Sequence, residues 1–557
     1  MWRRILEQVA KLKESLKPDR LRGALGGVQR ALRWDDLKRT PWLDRFKWPW
    51  DVWAVAVLTL AGAFLRLWKL GAAGLWRDEA QGLFVAAKSF PNGIAGALIA
   101  DGHPPLYFFL MHFWAKLWGS NEFGIRLLPA LFGIAAIPLL YGTARSMFNR
   151  HVAVLAAGVG AFLPMHVLVS RQARMYTLLP LLALLSIWAL YGAVQHNMRR
   201  YWVGWVVASA LMMYSHNWGI LVFVAENIFV LWHEVSRRRQ LSFVGAWLAS
   251  AAGAGLLYLP WLPTLLEQFR IPGIVMGPWV QSDNSPVGHF FRIFNELTSM
   301  TWPADRPWPY VILLVIGALS FRLAWKKVSV GYEFSPALDL TVLTLLIPVL
   351  LGILITTKTQ GLLPSYVTMA LFPPLCFLLA RALSGLRPAY SLMALAILAL
   401  LFWYNPLRGI YGKPMSAMRE VAQYVEAQAA PEDVILIAPD YLATPFNFYF
   451  KGEQLQSAFP QPPGRVEEII WRGWRARWDE AQEAIYLTID FVEQSGASGG
   501  RVWLIAPLDA YPNDPHFGQI RVLKGELDAR YELVQEEKRF RNVAVESADI
   551  FLYQRRQ

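Results

Sequence analysis

From Asp51 onward, apolar stretches of near 20 residues recur along the chain, the length an α-helix needs to cross about 30 Å of hydrocarbon. In lipid every backbone N–H and C=O must be satisfied inside its own segment, so such stretches can only be helices. Spans are expected near 51–70, 124–146, 151–169, 176–194, 201–215, 218–234, 243–263, 308–325, 338–357, 363–384 and 388–404, which makes about 11 in all. The pair within 201–234 is short for two crossings and turns at Ser215-His216-Asn217. Composition agrees, with 55% hydrophobic and only 17% charged residues, against roughly 25% charged in soluble chains. An ordinary soluble enzyme, a disordered chain and a disulfide scaffold are excluded. The 26 Trp fit rings seated at headgroup level. The single cysteine, Cys376, lies in an apolar run and reads as a buried thiol. Basic cytoplasmic loops account for the net charge of +13, so nucleic acid is not an expected partner.

Charge then orients the spans. Residues 1–50 carry thirteen Lys and Arg from Arg3 to Lys47 and read as a cytoplasmic, surface-hugging amphipathic arm or as a disordered tail. The stretch 104–118 (PPLYFFLMHFWAKLW) is slightly short for a span. If it lies in the interface, every inside loop is basic, including Arg145 with Arg150, Arg199 with Arg200, and Arg237-Arg238-Arg239. If it crossed, those clusters would all move outside. The interfacial placement is therefore expected, and parity puts loops 71–123 and 264–307 and the tail 405–557 on the outer face. The tail reads differently, with a helix near 415–429, the β-branched run PEDVILIAPD, an amphipathic stretch near 478–495 and RVWLIAPL at 501–508. Alternating strand and helix suggests a small extracytoplasmic α/β domain.

Polar groups in a membrane domain are costly, so their positions carry information. Leu75-Trp76-Arg77-Asp78-Glu79-Ala80 follows the first span. Adjacent carboxylates at a bilayer surface can serve as general base or metal ligand, or can simply begin a helix over 79–90. Asp101-Gly102-His103-Pro104-Pro105-Leu106-Tyr107 presents His103 at a proline-fixed helix entry. Ser170-Arg171-Gln172-Ala173-Arg174-Met175-Tyr176 places arginines outside, against the usual bias. A guanidinium fork suits phosphate, although snorkelling to headgroups is the bland alternative. His216 and Asn217 also face outward, as do Lys358 and Gln360 ahead of Leu363-Pro364-Ser365-Tyr366. Glu226 is an intramembrane carboxylate, either functional or packed as a satisfied core group. Soluble-enzyme motifs such as the P-loop, the dinucleotide glycine fingerprint, HExxH and CxxC are absent. No cofactor is required on this reading. A divalent metal beside Asp78 and Glu79 stays open, without a spaced ligand set to argue for one.

The order W-x-D-E-A (76–80), H-P-P-L-Y (103–107), the span opened by Arg126 and S-R-x-A-R-M-Y (170–176) resembles the membrane-embedded glycosyltransferases of the GT-C fold. Within these the chain is most similar to the bacterial branch related to protein O-mannosyltransferases and lipid A aminoarabinose transferases (the family 39 and 83 type). The similarity runs over about 51–404 and is strongest over 60–180, with 419–450 resembling the extracytoplasmic tail of such proteins. It implies a polytopic helical membrane domain with interfacial helices in the first outer loop. It implies also a polyprenyl-phosphate-linked sugar donor and transfer, with inversion, to a glycan, lipid or protein acceptor at the outer face of the cytoplasmic membrane. Asp78 then matches the first-loop general base, with Glu79 in the same motif. His103, Tyr107, Arg171, Arg174, Tyr176 and His216 become substrate-binding candidates. Where relatives carry Arg-Tyr near a proline-rich span this chain has Ser365-Tyr366, and Lys358 can supply the cation. The competing classes are a lipid or glycan transporter, whose sites lie near the midplane, and a non-catalytic envelope scaffold.

Overall fold

The computed structural model describes residues 49–237, 241–270, 335–359, 369–404, 411–466, 477–478, 480–495, 500–508 and 515–556. The basic arm, the span expected at 308–325 and Tyr366 lie outside the described residues, as does the side chain of Lys358. Among the described residues five helices are long and apolar enough to cross a membrane, or six if one bent pair is a single span. They are Trp50–Leu67, Glu122–Met147, Met175–His196, Ser242–Arg270 and Pro336–Ile355, with Gly219–His233, Phe372–Leu383 and Pro388–Leu400 as shorter apolar helices. The expected span at 151–169 is the bent pair. Helix Arg150–Phe162 meets Pro164–Ser170 at 57°.

Pro164 explains the bend, because it has no N–H for the Gly160 carbonyl one turn earlier. Arg66, a fully buried residue of helix Trp50–Leu67, takes over there. Its guanidinium donates to Gly160 O at 3.2 Å, Ala161 O at 3.1 Å and Gly62 O at 2.9 Å. It also meets Ser170 Oγ at 3.2 Å and His166 Nδ1 at 2.9 Å. The break thus becomes a fixed joint that aims the segment beyond Ser170.

The short pair within 201–234 forms helices Arg199–Ser215 and Gly219–Arg237 about a tight turn. A Cβ on Gly219 would sit 2.6 Å from Met212 O, so only glycine allows the close return. Glu226 joins these helices to Leu178–His196, accepting from Ser186 Oγ and Trp205 Nε1, each at 2.8 Å. These contacts give it a packing role.

The first loop folds into helices Arg77–Ala87, Asn92–Asp101 and Leu106–Trp118. The last buries Tyr107, Phe108, Met111 and His112 and exposes Leu110, Phe113, Leu117 and Trp118. Apolar residues on the outward face fit a helix lying along a bilayer surface.

The tail carries a five-stranded sheet, ordered β2-β1-β3-β5-β4. The strands are β1 (Val434–Ile437), β2 (Leu455–Ala458), β3 (Val502–Ala506), β4 (Tyr531–Glu537) and β5 (Asp549–Arg555). β1 runs parallel to β2 and β3, while β5 is antiparallel to β3 and β4. Strand periodicity sorts the side chains onto two faces. Val434, Leu436, Val502 and Leu504 pack against helices Ala481–Ser495 and Pro515–Arg530. Ile435, Ile437, Trp503 and Ile505 pack against Met418–Glu426 and Ala443–Tyr449.

This domain docks on the loop after the first span. Tyr449 Oη accepts from Leu75 N at 2.7 Å and donates to Glu122 at 3.0 Å. Arg419 reaches Ala72 O at 2.7 Å and Glu122 at 3.3 Å. Both oxygens of Glu546 accept from Arg77 N, at 3.0 and 3.2 Å across 469 residues of chain. An acidic residue of the tail therefore caps the helix that begins at Arg77.

Candidate active site

The geometry starts from a guanidinium whose five N–H donors are all used. Arg126, on helix Glu122–Met147, grips Glu79 bidentately at 2.8 and 2.6 Å. Its remaining N–H groups go to Leu70 O at 3.2 Å, Ala73 O at 2.7 Å and Gly74 O at 2.9 Å. Glu79 is 1% exposed, and its Oε1 also accepts from Ala173 N at 2.9 Å. One buried ion pair thus fixes both the loop that leads to Asp78 and the loop that carries Arg174.

Asp78 occupies the first turn of helix Arg77–Ala87, where a carboxylate is favoured. Its side chain is 21% exposed, with Arg77 Nε 3.5 Å from Oδ1. Arg174 is buried and donates from Nη1 to the Asp78 carbonyl at 3.2 Å. Its guanidinium lies 5.7 Å from the Phe108 ring centre and 6.0 Å from that of Tyr176, within cation–π range. Gly102 takes φ +78° and ends helix Asn92–Asp101, which turns His103 back onto Asp101. His103 Nδ1 meets Asp101 Oδ2 at 2.8 Å. With the proton on Nδ1, the 3.5 Å approach of Arg174 Nη2 is a contact between donors, not a bond. Burial opposes the Asp101 charge, but the His103 hydrogen bond and the charges of His103 and Arg174 hold its carboxyl below the usual range.

The turn after Ser215 closes this cluster. Asn217 Nδ2 donates to Gly102 O at 3.0 Å, and the His216 ring centre lies 5.7 Å from that of His103. His216 Nδ1 accepts from Trp218 N at 3.1 Å, which puts the neutral ring's proton on Nε2. Burial first, then His103 and Arg174, push the His216 pKa well below its ordinary value. The segments around 78, 103, 174 and 216 meet at one end of the helical bundle.

Comparison with known proteins places this arrangement. A family model described as dolichyl-phosphate-mannose-protein mannosyltransferase matches residues 102–263. "Putative mannosyltransferase YycA" of Bacillus subtilis is 27% identical over 221 residues, covering 37% of this chain and 31% of that protein. "Putative mannosyltransferase YkcB" of the same organism is 26% identical over 150 residues, covering 25% and 20%. The chain thus matches less than a third of the length of these curated relatives. The crystal structure of ArnT from Cupriavidus metallidurans in the apo state superposes with TM-score 0.58 at 14% identity, covering 90% of this chain and 97% of that one. ArnT bound to undecaprenyl phosphate gives 0.55 at 16% identity, covering 90% and 98%. The chain is an integral membrane protein of the GT-C fold.

Seen as a GT-C protein, the chain divides its candidate residues into two groups. Asp78, His103, Arg174, Tyr176 and His216 come together. Tyr107 lies beneath them, 1% exposed and packed edge-on against Phe108. Glu79 is adjacent but engaged with Arg126 and Ala173, which makes it a positioning group and not a second base. Arg171 points elsewhere. It donates to Trp68 O at 2.6 Å, Arg66 O at 3.0 Å and Lys69 O at 3.2 Å, capping the first helix. Its guanidinium also stacks 4.6 Å from the Tyr411 ring centre. Among the described residues no group of three His, Cys, Asp or Glu is arranged to hold a metal ion, and Glu79 is already paired.

Sequence reasoning missed Asp101 as the partner of His103, although its place two residues upstream was a signal. It had no signal for Glu546, which is remote in the chain. Burial raises the Glu546 carboxyl to about 7, against the opposing pull of Arg77 and Ser416. The folded protein then holds a proton that the unfolded chain releases near the ordinary 4.5. Stability from this group is therefore complete at low pH and lost as pH rises toward about 7. Melting temperature should fall from pH 5 to pH 7 in the native protein and fall less in Glu546→Gln. Equal slopes in a thermal-shift series would remove Glu546 as the source.

Proposed function

We propose that the protein is an inverting glycosyltransferase that moves a sugar from a polyprenyl-phosphate-linked donor to an acceptor at the outer face of the cytoplasmic membrane. The observation that carries this reading is the convergence of a part-exposed carboxylate, Asp78, with a buried guanidinium, Arg174, at one end of the bundle. The match to a dolichyl-phosphate-mannose-protein mannosyltransferase model and the superposition on ArnT with undecaprenyl phosphate support it. A prenyl chain stays in lipid while its sugar must reach water, so the reacting bond belongs at that boundary.

In this mechanism Asp78 takes the proton from an acceptor hydroxyl or amine. The acceptor atom bonds to the anomeric carbon on the face opposite the phosphate, and the carbon–oxygen bond to phosphate breaks with its electron pair. Arg174 stabilises the charge developing on the departing phosphate. Asp101 holds His103 beside Arg174, as a further polar group next to the phosphate site. Phosphate departs without a protonated carboxyl, so the paired acids of glycoside hydrolysis are not needed. A glycan, a lipid or a protein hydroxyl each satisfies this chemistry.

The test is the purified chain in liposomes with a panel of polyprenyl-phosphate-linked sugars, read by mass spectrometry for freed polyprenyl phosphate. Arg174→Ala should lower kcat by about 10²–10³-fold, the loss expected for one transition-state donor. Unchanged kinetics would take Arg174 out of the site. Movement of donor across the bilayer without bond cleavage would favour a transporter instead.

A further inference from the structure

Arg77 precedes the carboxylate assigned as base, and its guanidinium stands between that group and a second carboxylate, from the tail domain. Nε lies 3.5 Å from Asp78 Oδ1 and 3.8 Å from Glu546 Oε1. The three side chains grade inward, at 21% exposed for Asp78, 13% for Arg77 and 1% for Glu546. Among the described residues no other cation lies within ion-pair distance of the Asp78 carboxylate. Two rings flank the guanidinium. Its carbon is 4.8 Å from the Tyr441 ring centre and 5.9 Å from that of Trp76, within cation–π range. Tyr441 sits in the turn Asp440–Leu442 that follows β1 and is 4% exposed. Glu546 belongs to the segment leading into β5, which is bonded along its length to the chain that enters the tail. Ala544 N donates to Pro414 O at 2.8 Å, Glu546 N to Met415 O at 2.9 Å, and Ala417 N to Glu546 O at 3.0 Å. The Glu546 carboxylate therefore arrives on a fixed backbone.

A general base works only when its oxygen is aimed at the proton it takes, and a part-exposed aspartate can turn about both of its side-chain torsions. A cation held from behind by two groups of another domain limits that freedom. We propose that Arg77 is a positioning residue for the transfer reaction, held on Asp78 by Tyr441 and Glu546, so that the tail domain takes part in catalysis by setting the direction of the base. This inference rests on the reading of Asp78 as that base. The electrostatics also make it testable without unfolding the protein. Arg77 and a hydrogen bond from Ser416 lower the Glu546 carboxyl, while burial and the charge of Asp78 raise it. When Arg77 is replaced, its lowering effect is lost and Glu546 takes up a proton, so no buried charge is orphaned.

The full chain is assayed in liposomes with whichever polyprenyl-phosphate-linked sugar of the donor panel frees polyprenyl phosphate fastest. Arg77→Gln should lower kcat about 10–100-fold, the scale of loss from misaiming a reacting group by about 1 Å. KM for the donor should stay within about twofold of native, because Arg174 is untouched. Glu546→Gln keeps an oxygen for the Arg77 amide, and so the helix cap, while removing the charge. It should lower kcat severalfold at unchanged KM. The deciding arm combines Arg77→Gln with Asp78→Asn. In that background Arg77→Gln should change the residual single-turnover rate by less than about twofold, since no base is left to aim. An equal loss in both backgrounds would make Arg77 merely structural and overturn the inference. A native kcat in Arg77→Gln would overturn it too, and a native kcat in Glu546→Gln would strike out the tail's part in it. All three outcomes leave Asp78 as the base. Near-normal turnover in Asp78→Asn would instead remove the base, and the inference with it.

Discussion

Asp78→Asn should lower sugar transfer by about 10²–10⁴-fold, the usual contribution of a positioned general base. The amide has the shape of the carboxylate but cannot accept the acceptor's proton. Little else should change, because the Asp78 side chain is not part of the network that holds the loops. Its nearest cation is Arg77, at 3.5 Å and part-exposed. Losing one carboxylate from the first helical turn costs about 0.3–1 kcal/mol. Donor affinity should persist, since Arg174 and the His103–Asp101 pair are intact, so the loss should fall on kcat. The check is single-turnover transfer beside a melting curve. Near-normal turnover in a folded variant would remove Asp78 as the base.

Breaking the Glu79–Arg126 pair should have the largest effect on stability. Arg126→Ala orphans a carboxylate that is 1% exposed, together with three backbone carbonyls. Removal of one partner from such a buried pair costs about 3–5 kcal/mol. Arg126→Lys should rescue little, because an ammonium cannot reproduce the bidentate fork and reach those carbonyls together. The double replacement Glu79→Gln with Arg126→Met should not restore the protein either, since the carbonyls of Leu70, Ala73 and Gly74 still lack donors. Each variant should lose activity in step with stability, because the same pair anchors Ala173 beside Arg174. A thermal and denaturant series would show this, and a stable Arg126→Lys with normal turnover would contradict it.

Several of the spans were legible because hydrocarbon thickness imposes a length that the apolar runs report directly. At 104–118 a helix forms from Leu106 to Trp118 and turns Leu110, Phe113, Leu117 and Trp118 outward. Sequence could not show the joint at Pro164, because it depends on Arg66 arriving from another helix. Arg171 and Arg174 look alike in the chain, three residues apart in one polar segment between apolar stretches. They differ because one lies under the first helix's carbonyls and the other under Asp78, which only packing decides. Asp78 and Glu79 differ likewise, since neighbouring positions on a helix point about 100° apart. One turns to Arg126 and the other stays part-exposed. Glu546 left no local signal, because this cap arrives from 469 residues away in the chain.

The most direct test is a cryo-electron microscopy map of the full chain in nanodiscs with a polyprenyl phosphate. The account predicts phosphate density within hydrogen-bond reach of Arg174, beside His103 and facing Asp78, with the prenyl chain leaving into lipid. A phosphate bound at the opposite leaflet, or at any place walled off from Asp78, would contradict it.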